Sequence, residues 1–167
     1  MIVFAIDPGN EQSAWCIMND KYELLDFGKQ PNREVMSILI GRLTDTETAV
    51  SLIDNVALER VASYGMPVGR EVFETCEWIG RFAQEAEKKA KVSYVYRRDE
   101  KLYICYDSKA KDSNIRAALI ERFAKHDFKN GRGTKKDPDY FYGVKADVWA
   151  SIAIATTFLD MQKENAK

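Results

Sequence analysis

Histidine is almost missing from this chain: one residue, His126, in 167. That excludes a catalytic triad built on His and a metal site with several His ligands. Any catalysis must therefore run on carboxylates, Lys or Tyr. Cysteine is scarce too. Cys16, Cys76 and Cys105 are odd in number and far apart. They fit neither a disulfide framework nor a zinc knuckle, and they point to a reducing compartment, so the cytoplasm is the expected location. No apolar run approaches the roughly 18 residues of a membrane span. Met1-Ile2-Val3-Phe4 lacks a basic leader and reads as a strand rather than a signal peptide. Glycines are present in GRGTKK but lack the spacing of a phosphate-binding Walker loop. What remains is a chain of ordinary apolar content, sized for one domain, residues 1–167.

Net charge is also small, −1, but it is unevenly spread. Residues 88–145 hold 16 Lys and Arg against 8 Asp and Glu, while the rest holds 9 against 18. A basic third on a neutral chain is the footprint of a face that meets a nucleic-acid backbone. Solvated helix surface is the plainer explanation, and charge alone does not choose between them.

The apolar pattern gives an order of elements. Residues 2–7 read as a central strand, and 13–18 and 22–27 as a hairpin turning at Asn19-Asp20. Val35, Met36, Leu39, Ile40 and Leu43 have helical spacing, with a broken continuation through Ala49, Leu52 and Ile53. Residues 56–61 and 92–96 read as strands, and 71–91, 100–106, 113–123 and 144–161 as helices. The stretch 126–143 reads as a polar loop whose bases and aromatics suit a DNA arm. A hairpin followed by alternating helix and strand predicts an α/β domain, a mixed sheet with helices on its faces.

Three carboxylates stand where apolar residues belong. Asp7 ends the strand FAID before Pro8-Gly9. Glu59 lies inside VALERV. Asp147 opens the apolar helix VWASIAIATTFL. Each has an ordinary explanation taken singly: a turn acid, a buried ion pair, an acid favoured by a helix dipole. Together, at the ends of two strands and of a helix packed on them, they would repel one another. A divalent cation resolves the repulsion, and an oxygen-only ligand set suits Mg²⁺ or Mn²⁺. Acidic clusters of this kind hold two metals roughly 4 Å apart, and the chemistry that needs both is phosphodiester hydrolysis.

With those residues in view, the chain resembles the RuvC-type Holliday junction resolvases, and most of all their short phage versions. IDPGN matches the family's Asp-Pro-Gly strand end, VALERV its acidic fourth strand, and KADVWASIAIA its C-terminal helix. The resemblance implies a ribonuclease H-like fold with a mixed five-stranded sheet and helices on both faces. It implies a homodimer in a host-cell cytoplasm that nicks four-way junctions, with two Mg²⁺ per site held by Asp7, Glu59 and Asp147. It also implies lysines on DNA phosphates, at positions matching Lys101 and Lys111, with Arg97, Arg98 and Lys109 beside them. The dimer interface is expected on helix 71–91, around Trp78, Gly80 and Phe82.

Two departures from the family pattern stand out. The family carries a second acid three positions after the helix Asp, where this chain has Ala150, and one ligand is missing in either alignment register. Asp137 and Asp139 are the nearby acids that remain. The family also places an aromatic wedge three residues after the strand Glu, where this chain has Ala62. Tyr64 and Met66 are the candidates left for that role. The missing wedge implies looser selectivity, with forks and other branched DNA as further substrates, and the missing acid bears on metal affinity and site geometry. The missing ligand keeps open a branched-DNA-binding protein with a lapsed site, and the shared metal chemistry keeps open a ribonuclease H acting on RNA–DNA hybrid.

Overall fold

Alternation of apolar side chains on five short strands builds the centre of the molecule. The computed structural model describes residues 1–44, 52–63, 65 and 67–166. Along the chain run β1 (Ile2–Asp7), β2 (Gln12–Asn19), β3 (Leu24–Pro31), α1 (Asn32–Leu43), β4 (Asn55–Arg60), α2 (Arg70–Ala86), β5 (Lys91–Tyr96), α3 (Arg97–Cys105), α4 (Asp112–Phe123) and α5 (Val148–Asn165). The strand order is β3-β2-β1-β4-β5. β1, β2 and β3 form an antiparallel meander, while β4 and β5 continue parallel to β1. This is the expected mixed sheet with helices on both faces.

Side-chain parity divides the core in two. Phe4, Ile6, Trp15, Ile17, Val56 and Leu58 point to the face covered by α1 and α2. Val3, Ala5, Ala14, Cys16, Ala57 and Val95 point to the opposite face, under α5 with α3 and α4. α5 is buried on every side from Val148 to Leu159, apart from partly exposed Ala150, because sheet and helices enclose it together. Small residues line the sheet beneath it, at Ala5, Ala14 and Ala57. Cys16 is buried there, its thiol donating to the Ser151 carbonyl at 3.2 Å. All three cysteines are free.

Several boundaries differ from those the sequence pattern predicts. The second hairpin strand starts at Leu24 rather than Tyr22, because Tyr22 adopts a φ of 61° in the turn. It then runs on to Pro31 as a polar edge strand. α2 ends at Ala86 rather than 91, since Lys91 pairs with Asn55 in the sheet. The last helix begins at Val148 rather than 144, because Ala146 has a φ of 44°. Ala49, named for a continuation of α1, lies outside the described residues, as do Tyr64 and Met66. Among the described residues, no helix is long and apolar enough to cross a membrane.

Candidate active site

Strand register brings the first two carboxylates together. Ala5 pairs with Ala57 and Ile6 with Leu58. Asp7 and Glu59 come next on these adjacent parallel strands, which lie about 5 Å apart. Both share the parity of the alanines, so both face α5. Their carboxyl groups lie within hydrogen-bonding reach of each other. Two carboxyls can share a hydrogen bond only if one keeps its proton. Burial, that bond, and the charges of Glu59, Asp147 and Glu100 push the Asp7 pKa far above the usual carboxylate range.

The turn after Asp7 is held rigidly. A Cβ on Gly9 would sit 2.3 Å from the Gln12 carbonyl oxygen, so only glycine fits. The Gly9 amide donates to Ser13 Oγ at 3.3 Å, and Ser13 Oγ donates to Asn32 Oδ1 at 2.6 Å. Asn32 Nδ2 returns to the Gly9 carbonyl at 2.9 Å. Ser13 and Asn32 are buried, so this small polar network fixes the chain where β1 ends.

Asp147 stands at the N-terminus of α5, directly after strained Ala146. Its carboxylate makes no capping bond to the helix. It pairs instead with Lys29 of β3 at 2.5 Å, and it stays exposed. The three expected ligands therefore form a half-buried pair and a third group drawn outward by a lysine. Among the described residues, no three Asp, Glu, His or Cys side chains are already arranged around one point as a cation's ligands.

A fourth carboxylate enters from α3, and the sequence reading did not single it out. Glu100 is completely buried in the first turn of that helix. Arg97 donates to its Oε2, while Oε1 has no hydrogen-bond partner. Burial and the nearby Glu59 charge push its pKa up to about 8, against the pull of Arg97. One signal was available: Glu100 lies four residues before buried Ile104, on the core-facing stripe of α3. The donor set of Asp7, Glu59, Asp147 and Glu100 is all oxygen, buried in part and short of counter-charge. It suits a hard divalent cation in kind.

Beside the carboxylates lies a cleft of about 340 Å³, lined by Arg97, Asp112, Ser113, Arg116, Asp147 and Trp149 among others. Arg116 covers the Trp149 ring at 4.6 Å. Arg97 is tied to Glu100 and to Asp112, the latter at 2.5 Å, so its guanidinium is already engaged. Arg98, Lys109 and Lys111 are exposed and Lys101 is half-exposed. Lys111 directly precedes α4, whose first turn lines the cleft.

The loop 124–147 is less open to DNA than its composition predicts. Asp139 accepts from the backbone amides of Lys125, His126, Asp127 and Tyr140. Burial alone would raise its pKa, but these amides hold it well below the usual carboxylate range. Asp139 is thus committed to the loop. Asp137 is exposed, 3.5 Å from His126. Tyr140 and Phe141 turn inward to stack with Phe123 and Trp149. Phe128 and Tyr142 are the aromatics left exposed.

No protein-family model matches the chain, and no curated protein matches it in sequence. The fold does have solved counterparts. The structure is similar to Thermus thermophilus RuvC, with a TM-score of 0.67 and 15% identity over 99% of this chain and 97% of that one. It is similar to T. thermophilus RuvC in complex with a Holliday junction substrate, with a TM-score of 0.65 and 15% identity over 98% and 96%. The fold is therefore that of RuvC, the ribonuclease H-like arrangement the sequence motifs imply.

Proposed function

We propose that this chain is a divalent-metal-dependent endonuclease that nicks branched DNA, four-way junctions above all. The observation that carries the proposal is the half-buried Asp7–Glu59 pair at the ends of β1 and β4. It lies on the face of α5, beside Asp147 and a cleft carrying arginines. Two carboxyls facing each other at the edge of the core, with the Asp7 pKa raised, are costly for stability and are organised to receive positive charge. A fold shared with a RuvC seen on a Holliday junction supports branched DNA as the partner.

In this reading Asp7, Glu59 and Asp147 hold Mg²⁺ or Mn²⁺, two ions per site. Such ions activate water and stabilise the departing 3′-oxygen of a phosphodiester. The protein's own residues prepare that chemistry. Asp7 gives up the proton it shares with Glu59. Lys29 keeps Asp147 at the rim, from which a side-chain rotation turns it toward the pair. Arg116, Lys101, Lys109, Lys111 and Arg98 hold backbone phosphates in and around the cleft without reading sequence. Arg97 contributes through Glu100 rather than through a phosphate. The wedge role stays with Tyr64 and Met66, the candidates that the sequence leaves for it.

A homodimer belongs to the same reading, with a revised surface. Phe82 is buried in the sheet-side core and is not free to meet a partner, while half-buried Trp78 packs on it beneath Arg81. Phe73, Cys76 and Gly80 are exposed at positions i, i+3 and i+7 of α2, and no atom lies within 4 Å of a Cβ built on Gly80. That stripe is the proposed two-fold contact. Sedimentation equilibrium of the chain and of Phe73→Glu at micromolar concentration tests it, with a dimer expected for the first and a monomer for the second.

The test of function uses a labelled immobile four-way junction, a matched linear duplex and an RNA–DNA hybrid, each with and without Mg²⁺ or Mn²⁺. Paired nicks near the crossover, only with metal and only on the junction, are expected. Tight junction binding without nicks in any condition would mean a lapsed site. Cleavage of the RNA strand of the hybrid alone would mean a ribonuclease H.

A further inference from the structure

The carboxylate absent at position 150 leaves the site one acid short on α5. Ala150 lines the cleft one turn on from Asp147 and brings no charge. We propose that Glu100, reaching the same centre from α3, is the fourth carboxylate ligand of the metal site. This rests on the nuclease reading above and extends it to a residue on a different helix.

Three observations carry it. β5 ends at Tyr96 and α3 starts at once, so the first turn of α3 stands above the strand ends that carry Asp7 and Glu59. Glu100 is fully buried there, on the α5 side of the sheet, and it lies within electrostatic reach of both carboxylates. One of its oxygens is engaged by Arg97, and the other is buried with no hydrogen-bond partner.

An unpartnered carboxylate oxygen beside two other carboxyls is expensive in the metal-free chain. A structural ion pair would use both oxygens, or would bury none without a donor. One oxygen held by Arg97 and the other buried without a donor, within electrostatic reach of the acids, is the arrangement of a metal ligand positioned by a neighbouring side chain. Arg97 bridges onward to Asp112 at the start of α4, which anchors its orientation. Arg97 is thus a positioning residue and Glu100 the ligand. The alternatives in the preceding loop are weaker: Asp139 is consumed by backbone amides, and Asp137 points to His126.

Mn²⁺ binding to the full chain, without DNA, tests this directly. Calorimetric titration and the loss of free Mn²⁺ signal in electron paramagnetic resonance are read for the unaltered chain, Asp7→Asn, Glu100→Gln and Glu100→Asp. Metal-free melting temperature is recorded for each. Glu100→Gln keeps an acceptor for Arg97 and is expected to fold, with an unchanged or raised metal-free melting temperature. Its Mn²⁺ affinity should fall roughly tenfold or more, and the Mn²⁺-induced rise in melting temperature should shrink with it. Glu100→Asp keeps the charge but shortens the reach, and should also bind more weakly. If Asp7→Asn loses Mn²⁺ while both Glu100 variants bind as the unaltered chain does, Glu100 is only the partner of Arg97 and the inference falls alone. If the unaltered chain binds no Mn²⁺ at millimolar concentration, the inference falls together with the reading it rests on.

Discussion

Two clusters of acid in this molecule look alike in sequence and differ in every physical respect. In the loop after α4, Asp139 receives four backbone amides, and Asp127 receives those of Asn130, Arg132 and Gly133. Both pKa values are held below the ordinary range. At the ends of β1 and β4, Asp7 meets Glu59, and Glu100 carries an oxygen with no donor. There the pKa values rise. A carboxylate that serves the fold comes with its own donors. One that serves chemistry is left wanting a positive charge, and the fold bears that cost.

The largest break in this contrast should come from Glu59→Gln. Removing one member of the pair is expected to lower junction nicking by roughly a thousandfold, of the order seen when one group poised for the transition state is lost. Metal-free stability should rise, because the repulsion is relieved. Single-turnover cleavage and thermal melting of the same preparation check the two halves together.

The opposite cluster should respond in the opposite way. Asp139→Ala leaves four amides in the loop without their acceptor. It is expected to destabilise the chain by about 2–4 kcal/mol, while nicking per folded molecule persists. Urea unfolding alongside active-site titration measures both. A large loss of specific activity at full folding would place Asp139 in the site after all.

Acidity sharpens the comparison further. Asp7 holds its proton in the folded state above the unfolded value near 4. The folded chain then binds the extra proton. Metal-free stability should therefore decline as pH rises from about 4 through the raised folded pKa. Asp139 has a depressed folded pKa, so its contribution is present above about pH 4 and is lost as pH falls toward the folded value. Melting temperatures from about pH 2 to about pH 9 should show both slopes. Asp7→Asn should lessen the slope on the high side, where Glu100 also titrates, and Asp139→Asn should lessen it on the low side. A high-pH slope unchanged in Asp7→Asn would mean that Glu100 or another group, and not Asp7, titrates there.

The smallest effect concerns the joint between the two regions. Ala146 links loop to α5 with a φ of 44°. Glycine adopts that conformation freely, so Ala146→Gly is expected to stabilise the chain by about 1 kcal/mol. Denaturant midpoints resolve a change of that size.

Much of this could be read from residue patterns, and the misses share a cause. The strands of the inner sheet announce themselves because apolar residues on both faces are needed between two helical layers. Asp7 and Glu59 were legible because they interrupt those runs. The apolar pattern ends β3 at Phe27, four residues short, because an edge strand can be polar, as Lys29-Gln30-Pro31 is. The start of α5 was misplaced because a left-handed alanine has no composition signal. Glu100 escaped notice because RRDEKL looks like solvated helix. Its burial comes from α3 docking on α5, a tertiary event that only the i, i+4 relation to Ile104 hints at. Tyr140 and Phe141 misled in the other direction, since aromatics in a basic loop look exposed until a stack with Phe123 claims them.

The most direct measurement is the Mg²⁺ dependence of nicking on an immobile four-way junction by the unaltered chain and by Asp7→Asn, with junction binding measured in parallel. The account predicts that both proteins bind the junction, and that only the unaltered chain nicks it, in symmetrically placed strands and only with metal. Cleavage by Asp7→Asn at the unaltered rate would contradict the assignment of the site.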